Sequence, residues 1–460
     1  MHVPLIVIGG GLSGLAAAIR FARFIPDVLL LEKHSRLGGL NSYYYRNKTL
    51  LETGLHAVTN YAAPKDKKAP LNRLLRQLKL NRSRLEIHQQ LTSEIHFAGV
   101  ETLSFSNDFN LLQEQINQKF PGACNGFGDL VGLIESHDPF APAPFQSARK
   151  VLTEKLGDEL LIDMLLCPLM YYGSSVANDM DFSQFVIMFR AIFQEGMFRP
   201  RGTIKDLLDM LKAHYLSFGG EIRLNSQVKK IMAENSRITG VELADGEVIT
   251  CDALISTVGH QESLALLGLP EIEEQTPRLG FVESIFQVKP ENLSLPSDKT
   301  IIFFNSGKRF SYERPEQIVD FNSGVICFPD NFVDSATRDH LEVRSTHLAN
   351  YHLWKKAADK RENYLAEKEK TARLSLAAIE KIIGNFKDNI VYNDTFTPLT
   401  IERFTAKREG AIYGCATKIK NGDIGLDNMF LAGTDQGFLG IVGSMLSGVS
   451  MVNQHILPRL

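Results

Sequence analysis

The chain has 460 residues, and its 50 Lys and Arg against 53 Asp and Glu give a formal net charge of -3 at pH 7. Proteins that bind nucleic acids by neutralising many phosphates normally carry a basic excess, so this balance argues against that class. Hydrophobic residues make up 44% and charged residues 22% of the chain, which is typical of a globular protein with a sizeable core.

The N-terminal segment is uncharged as far as Arg20. A signal peptide needs a positive leader before its apolar run, and none is present. Three consecutive glycines at positions 9–11 disfavour a membrane-spanning helix. The pattern instead predicts a buried strand over residues 4–8, a glycine turn, and a helix over residues 14–24. No other run approaches the roughly 18 apolar residues that a spanning helix needs.

The glycine turn has the spacing of a dinucleotide-binding loop. Gly9, Gly11 and Gly14 form a GxGxxG motif between the predicted strand and the predicted helix, which is the context that gives this motif its meaning. Gly9 permits the tight turn, Gly11 lets the backbone approach a pyrophosphate, and Gly14 lets helix and strand pack closely. Ser13 adds a hydroxyl donor at the helix N-terminus, where the free N–H groups favour an anion.

A second strand, predicted over residues 28–31, ends at Glu32. This acid lies 18 residues beyond Gly14, close to the spacing of about 20 expected for the acid that binds ribose hydroxyls. Another glycine pair, Gly38 and Gly39, follows, together with Arg36 as a charged partner for phosphate. The second pair is not a nicotinamide dehydrogenase pattern and favours a flavin dinucleotide.

The C-terminal segment contains a third glycine-rich site. A short apolar strand over residues 429–432 is followed by Gly433, Asp435 and a turn that opens a final helix. The sequence offers a close-approach glycine, a carboxylate for ribityl hydroxyls, and a helix N-terminus, at Ile441 and Val442, for a reduced flavin.

These motifs together resemble the flavin amine-oxidase-like superfamily, and within it the carotenoid desaturase branch of phytoene desaturases, carotenoid isomerases and retinol saturases. The resemblance extends over most of the chain. It includes the segment LETGLH at 51–56, the segment FRPRGT at 198–203, the β-rich stretch at 221–259 and the segment TPLTIERFTAKREGAIYG at 397–414.

The resemblance implies further site residues. Gly54, Leu55 and His56 would lie beside the flavin, and Val228 would bind adenine through its backbone. His56, Arg201 and Arg403 are candidates for a catalytic position near the ring. The predicted cofactor-binding set is completed by Leu12, Lys33, Gly39 and Leu40. Leu40 stands where many relatives carry Arg or Lys, so phosphate binding would depend more on Arg36 and the backbone.

The predicted fold class is α/β: a discontinuous, Rossmann-like FAD-binding domain with a mixed α+β substrate domain. The length alone suggests two or three domains, at about 150 residues each. Because the motifs lie at the start, middle and end, we assign residues 1–62, 200–268 and 420–460 to the FAD-binding domain. Residues 63–199 and 269–419 form the predicted substrate-binding domain.

One apolar stripe leaves two interpretations open. Phe182, Phe185, Phe189 and Phe193 recur at spacings of three and four, which places them on one helical face. Such stripes usually pack in a core. The resemblance also allows them to form the wall of a substrate tunnel or a surface that dips into a lipid monolayer.

The function implied is that of an FAD-dependent oxidoreductase acting on carbon–carbon bonds of an apolar, isoprenoid substrate by desaturation, saturation or isomerisation. Two alternatives remain: a flavin amine oxidase, and a prenyl-binding protein of the same fold without redox chemistry. Non-covalent FAD is expected, because the spacing of Cys415 to Gly433 does not suggest a thioether. No motif for a metal site appears.

The five cysteines include no CxxC pair and are odd in number, which favours reduced thiols in the cytoplasm. Peripheral contact with a membrane stays open, and the near-neutral charge argues against a purely electrostatic anchor. No nucleic acid partner is expected, and the sequence does not determine the oligomeric state.

Overall fold

The computed structural model describes residues 1–46, 48–54, 57–273, 279–291, 293–335 and 339–459. Helices and strands are numbered in chain order. The helices are α1 Leu12–Ala22, α2 Pro70–Leu78, α3 Phe109–Lys119, α4 Cys124–Ser136, α5 Ala148–Leu156, α6 Glu159–Gly173, α7 Phe182–Phe189, α8 Ile204–Ser217, α9 His260–Leu267, α10 Tyr351–Ala357, α11 Arg361–Ile383, α12 Pro398–Thr405 and α13 Gly440–Met451. The strands are β1 His2–Ile8, β2 Val28–Leu31, β3 Tyr43–Arg46, β4 Thr49–Glu52, β5 Val58–Thr59, β6 Ile87–Gln89, β7 Thr92–Phe97, β8 Glu101–Phe105, β9 Met197–Pro200, β10 Glu221–Arg223, β11 Val228–Glu234, β12 Arg237–Leu243, β13 Val248–Ser256, β14 Gly280–Val288, β15 Lys299–Asn305, β16 Ser323–Cys327, β17 Leu341–Ala349, β18 Ile390–Phe396 and β19 Met429–Leu431.

The first sheet carries the dinucleotide motifs. Its strand order is β10-β2-β1-β13-β12-β11, with β19 paired to β13. The strands β10, β2, β1, β13 and β19 run parallel, whereas β11, β12 and β13 pair antiparallel. Parallel strands that are buried on both faces read as continuous apolar runs, and all four residues of β2 are buried. The sheet therefore gathers strands from the start, middle and end of the chain.

Helices α1 and α13 pack against each other on this sheet. Their contact is close: a Cβ placed on Gly448 would lie 2.0 Å from the carbonyl oxygen of Ser13. Helix α2, which lies within the segment predicted for the substrate domain, also packs against α13 and shares the apolar cluster under α1. Residues 69–85 therefore contribute to the core of the first sheet.

The second sheet is built from strands that alternate in the chain with those of the first, and it has the order β18-β14-β17-β16-β15-β7-β8. Only β15 and β7 pair in parallel within its described strands; the other neighbours are antiparallel. Helices α3 to α7 pack on one side of it and form the largest apolar cluster among the described residues. The α/β class with a second, mixed sheet is thus as the sequence predicts.

The phenylalanine stripe belongs to that core. Phe182 is 2% exposed, and Phe185, Phe189 and Phe193 are 0% exposed. Neighbouring rings of the stripe stack or meet edge to face at centroid distances of 5.2 to 5.8 Å. None of the four side chains lines the large cavity described below. The stripe therefore packs in the protein core, as the first interpretation predicts. Its side chains form neither a wall of this cavity nor a surface that could contact lipid.

Candidate functional site

One cavity of about 1260 Å³ runs from the N-terminus of α1 to the face of the second sheet. At one end it is bounded by the loops that follow β1, β2 and β13, at the carboxyl edge of the first sheet. Ligands of open α/β sheets bind at this edge. At the other end it reaches side chains of β14, β16, β17 and β18.

The loop after β1 forms the floor of the cavity. Gly9 has φ of 101°, a conformation that favours glycine, and its N–H donates to the carbonyl of Leu31 at 2.8 Å. A Cβ on Gly14 would lie 1.9 Å from the carbonyl oxygen of Gly9, so only glycine lets α1 begin so close to the strand. Gly11 caps α1 without a side-chain hydrogen bond. The first N–H groups of this helix therefore face an open space.

The second glycine pair closes over this loop. The N–H of Gly38 donates to the carbonyl of Gly10 at 2.8 Å. A Cβ on Gly39 would lie 3.3 Å from Cα of Gly11, so the two loops nearly touch. Together they make a narrow cradle of backbone at the positive end of α1. A diphosphate group fits such a cradle.

Ser13 supports the same assignment. Its residue is 6% exposed and it lines the cavity, yet its hydroxyl has no hydrogen-bond partner within the described residues. A buried unpaired hydroxyl is costly unless a ligand satisfies it. A Cβ on Gly433 would lie 3.9 Å from Ser13 Oγ, so the C-terminal motif reaches the same point. The residues present therefore fit a dinucleotide phosphate.

Glu32 connects the two glycine loops. Its Oε2 accepts the N–H of Gly10 at 2.7 Å, and its Oε1 accepts the N–H of His34 at 2.7 Å. The carboxylate is buried but borders the cavity. Each carboxylate oxygen can accept more than one hydrogen bond, so capacity for ribose hydroxyls remains. Glu32 thus both holds the loops and presents an acceptor.

Most of the predicted cofactor residues meet in this one cavity. Arg36 lies with its guanidinium 5.5 Å from the ring centroid of Tyr43, and burial lowers the pKa of Lys33. The predicted residues that line the cavity are Gly9, Gly11, Leu12, Ser13, Glu32, Lys33, Arg36, Gly39, Leu40, Gly54, Val228, Gly433 and Ile441. Gly14 and Val442 pack behind the lining. Leu55 and His56 lie outside the described residues.

Asp435 does not line the cavity as the sequence suggested. Its oxygens accept the N–H groups of Cys415 at 2.7 Å and His260 at 2.6 Å. Burial raises the pKa of this carboxyl, but the charges of Lys407 and Lys418 and the two backbone donors outweigh it, and the pKa lies at about 2. The carboxylate is therefore a buried clamp between two loops and does not face a ribityl chain.

Of the two catalytic candidates within the described residues, Arg403 lines the cavity and Arg201 does not. The guanidinium of Arg403 lies 5.4 Å from the ring centroid of Phe404. The side chain of Arg201 is 69% exposed and pairs with Glu86 at 2.6 Å, outside the cavity lining. Strand β9 ends at Pro200, so Arg201 turns outward while Arg199 stays inside. Arg201 is therefore a surface residue, which corrects its predicted place beside the ring.

A buried charge cluster was missed by the sequence analysis. Arg199 pairs with Glu52, and Arg344 donates to the carbonyl of Glu52 at 3.0 Å and to Glu283 Oε1 at 3.2 Å. Glu283 lines the cavity. One available signal was a charged residue within each of two apolar strands, Glu283 in β14 and Arg344 in β17. Such residues are rarely buried unless they are paired.

The end of the cavity near the second sheet has an aromatic wall, formed by Tyr171, Tyr172, Phe281 and Tyr413. Phe281 lies 6.0 Å from Tyr171 and 5.9 Å from Tyr413, centroid to centroid. The hydroxyl of Tyr171 bonds to Ser323 Oγ at 2.8 Å, and that of Tyr413 donates to the carbonyl of Tyr171. Burial raises the pKa of all three tyrosines, so they stay neutral. The wall therefore presents ring faces and no charge.

Other chemistries find no support in the described part of the chain. No group of three or more His, Cys, Asp or Glu side chains there could hold a metal ion. Cys415 is buried, lies outside the cavity lining, and its thiol pKa is raised to about 12, mainly by burial.

None of the described helices has the length and apolar character to cross a bilayer.

Known proteins resemble the chain over nearly its whole length. It is 23% identical to prolycopene isomerase of Arabidopsis thaliana, covering 89% of this chain and 73% of that protein. It is 21% identical to all-trans-retinol 13,14-reductase of Danio rerio, covering 99% of this chain and 86% of that protein. A solved oxidoreductase from Methanosarcina mazei shares the fold with a TM-score of 0.69 and 15% identity, over 99% of this chain and 100% of that one.

The chain also matches a protein family. The family model described as "flavin containing amine oxidoreductase" matches residues 12–285, which is more than half of the chain. This match confirms the superfamily predicted from the glycine motifs, and the two named relatives confirm the carotenoid branch. The protein belongs to the flavin-containing amine oxidoreductase family.

Proposed function

We propose that this protein binds FAD without a covalent link and acts on carbon–carbon bonds of an apolar polyene or isoprenoid, by desaturation, saturation or isomerisation. The observation that carries the proposal is the continuity of the cavity. Its dinucleotide end, with the cradle and Ser13, opens directly into an end walled by Tyr171, Tyr172, Phe281 and Tyr413. An apolar chain in that end would lie against the flavin.

The protein's own part is to bind, orient and exclude water, while bound FAD supplies the two-electron redox chemistry. The N-terminus of α1, Ser13 and Arg36 would hold the diphosphate, Glu32 the ribose, and Val228 the adenine. Arg403 is retained as a candidate beside the cofactor. We assign residues 1–62, 200–268 and 420–460 to this FAD-binding unit, together with residues 69–85, which pack in its core, and the remainder to substrate binding.

The aromatic wall favours an apolar substrate on physical grounds. It offers water few polar partners, since the hydroxyls of Tyr171 and Tyr413 are hydrogen-bonded to protein atoms and the remaining surface is aromatic ring. A polyene needs no strong acid and base to exchange hydrogen with a redox cofactor. The names of the relatives point the same way: one isomerises prolycopene and the other reduces all-trans-retinol.

The test is a flavin spectrum and an activity assay on purified protein. The protein should be yellow, and denaturation should release FAD. Incubated anaerobically with a retinoid or an acyclic carotenoid, with the flavin either oxidised or first reduced by dithionite, it should change the polyene absorption spectrum, and lipid extraction with mass spectrometry should identify the product. Protein that takes up no FAD, or that leaves every polyene unchanged, would contradict the proposal.

A second candidate function is oxidation of an amine. It is favoured by one observation: Glu283, a carboxylate able to attract an ammonium group, lines the cavity along with the aromatic wall. Hydrogen peroxide released from amines, with no change in polyenes, would establish this function in place of the first.

We also propose peripheral contact with an anionic lipid surface at the cavity rim. Three large apolar side chains that line the cavity are well exposed: Tyr45 at 44%, Leu365 at 49% and Phe404 at 45%. The exposed residues Arg46, Arg361 and Arg403 also line the cavity. Apolar side chains among cations are the composition of an interfacial contact, and an apolar substrate would enter there directly.

Co-sedimentation with vesicles tests the rim. Wild-type protein should sediment with phosphatidylglycerol vesicles more than with phosphatidylcholine vesicles, and Leu365→Ser should reduce the bound fraction several-fold. Leu374→Ser is the matched control, because Leu374 lies on the same helix, is 39% exposed and does not line the cavity. Equal loss in both variants, or no binding by the wild type, would refute the contact.

A further inference from the structure

Lys407 is a buried cation on the cavity wall that the motifs do not explain. The residue follows α12 and is 8% exposed. Its Nζ lies 3.8 Å from Asp435 Oδ2, an ion pair too long for a hydrogen bond. Within the described residues its ammonium donates no hydrogen bond. The ammonium thus lies on the cavity wall beside the Asp435 carboxylate with its N–H groups free to donate to a ligand.

The ammonium of Lys407 packs against the loop after β13, which is hydrogen-bonded to the end of β1 next to the glycine loop. A Cβ on Gly259 would lie 2.5 Å from Lys407 Nζ, so the ammonium lies against the loop after β13. In that loop Thr257 donates its hydroxyl to the carbonyl of Ile8 at 2.9 Å, at the end of β1. A Cβ on Gly9 would lie 2.4 Å from the Thr257 hydroxyl oxygen. Because this loop follows β13, the ammonium lies at the carboxyl edge of the first sheet.

The charges around Lys407 keep it protonated. Burial lowers its pKa, but Asp435 and Glu262 outweigh this and leave the pKa raised. Glu262 also lines the cavity. Because Asp435 is buried behind the cavity wall and Lys407 lines it, the ammonium screens that carboxylate from an anionic ligand. Leu40, at the end of the second glycine loop, offers no charge of its own.

We propose that Lys407 is a cofactor-binding residue whose ammonium donates to the diphosphate of FAD. A dinucleotide brings two negative charges to the cradle, where the backbone N–H groups and Ser13 are neutral donors and Arg36 is the single cation assigned to the diphosphate above. A buried ammonium without a hydrogen bond is complementary to that charge. The assignment depends on FAD binding, as in the proposed function, and does not depend on the identity of the substrate.

The test measures cofactor affinity and not activity. Apoprotein is titrated with FAD, ADP and riboflavin, for wild type, Lys407→Met, Lys407→Gln and Lys407→Arg. The loss of a charge-assisted hydrogen bond should weaken FAD and ADP about 10- to 100-fold in the Met and Gln variants. Lys407→Arg should retain most of the affinity, and riboflavin, which lacks the diphosphate, should bind all variants equally.

Lys418→Met is the control for the charge cluster. Lys418 also contributes to the low pKa of Asp435, but its Nζ donates to the carbonyl of Tyr413 at 2.6 Å and it does not line the cavity. FAD affinity should therefore change little. Unchanged FAD affinity in folded Lys407→Gln would refute the inference, and so would an equal loss of riboflavin affinity. A wild type that binds no FAD would instead refute the cofactor assignment itself.

Discussion

Gly11→Val is expected to abolish FAD binding while leaving the protein folded. Gly11 has φ of -70° and ψ of 176°, extended backbone that valine adopts without strain. A Cβ there would meet nothing nearer than the carbonyl oxygen of Gly38 at 3.9 Å. The rest of the valine side chain would fill the cradle between the two glycine loops, where the diphosphate must lie. Flavin content and the Kd for FAD should show a loss of more than about 100-fold, the effect of several charge-assisted hydrogen bonds.

Gly14→Val, three residues away, should fail for a different reason. Its Cβ would lie 1.9 Å from the carbonyl oxygen of Gly9, so α1 could not begin beside the strand. We expect a loss of at least about 3 kcal/mol in the free energy of unfolding, from overpacking a buried contact. Circular dichroism and urea unfolding separate the two variants: Gly11→Val should unfold like wild-type apoprotein. A Gly11→Val protein with wild-type FAD affinity would contradict the cradle.

The glycine loop after β1 could be predicted from the sequence because the residues that identify it lie close together in the chain. Spacing, flanking apolar runs and the following acid all lie within about thirty residues, and β2 runs over residues 28–31 as predicted. The predicted start of the helix after this loop was wrong by two residues: α1 begins at Leu12, whereas the sequence predicted residue 14. A Gly-rich turn does not show which of its residues first adopts the helical conformation.

The charged residues could not be assigned so well because their partners are remote in the chain. Every residue of β9 is buried, so the alternation of a strand does not show that Arg199 is inside and Arg201 outside. Lys407 reaches its site only because α12 brings it to the end of β13, and Asp435 is turned away by the N–H groups of Cys415 and His260. These are tertiary contacts, and motif spacing carries no information about them.

For the phenylalanine stripe, the periodicity of the sequence predicted the helical face but not the elements that pack against it. The spacing of three and four identified a single helical face correctly, because α7 is a helix from Phe182 to Phe189. It could not identify what covers that face. Helices α3, α4, α5 and α6 and strands of the second sheet pack in the same apolar cluster and leave no side for a tunnel. The aromatic wall of the cavity is formed instead by Tyr171, Tyr172, Phe281 and Tyr413, which come from three separate segments of the chain.

Arg199→Met should be among the most destabilising single substitutions in the protein. The side chains of Arg199 and Glu52 are 4% and 5% exposed, and Arg344 connects their ion pair to Glu283 on the cavity wall. Removing the guanidinium leaves the Glu52 carboxylate in a site of low dielectric without its ion-pair partner; among the described residues the N–H of Ile204 still donates to it, and the charge of Arg344 remains nearby. Breaking a buried pair by deleting one partner costs about 3 to 5 kcal/mol. Urea unfolding of the apoprotein should show a loss of this size.

Two further variants separate the buried charge from the lost packing. Arg201→Met removes an exposed guanidinium whose partner Glu86 is 53% exposed, so the free energy of unfolding should change little. In the double variant Glu52→Gln/Arg199→Met the carboxylate charge is gone, and the neutral amide oxygen can still accept the N–H of Ile204. This protein should therefore be more stable than Arg199→Met alone. If the double variant is the less stable of the two, the unpaired carboxylate is not the cause, and packing of the arginine stem accounts for the loss.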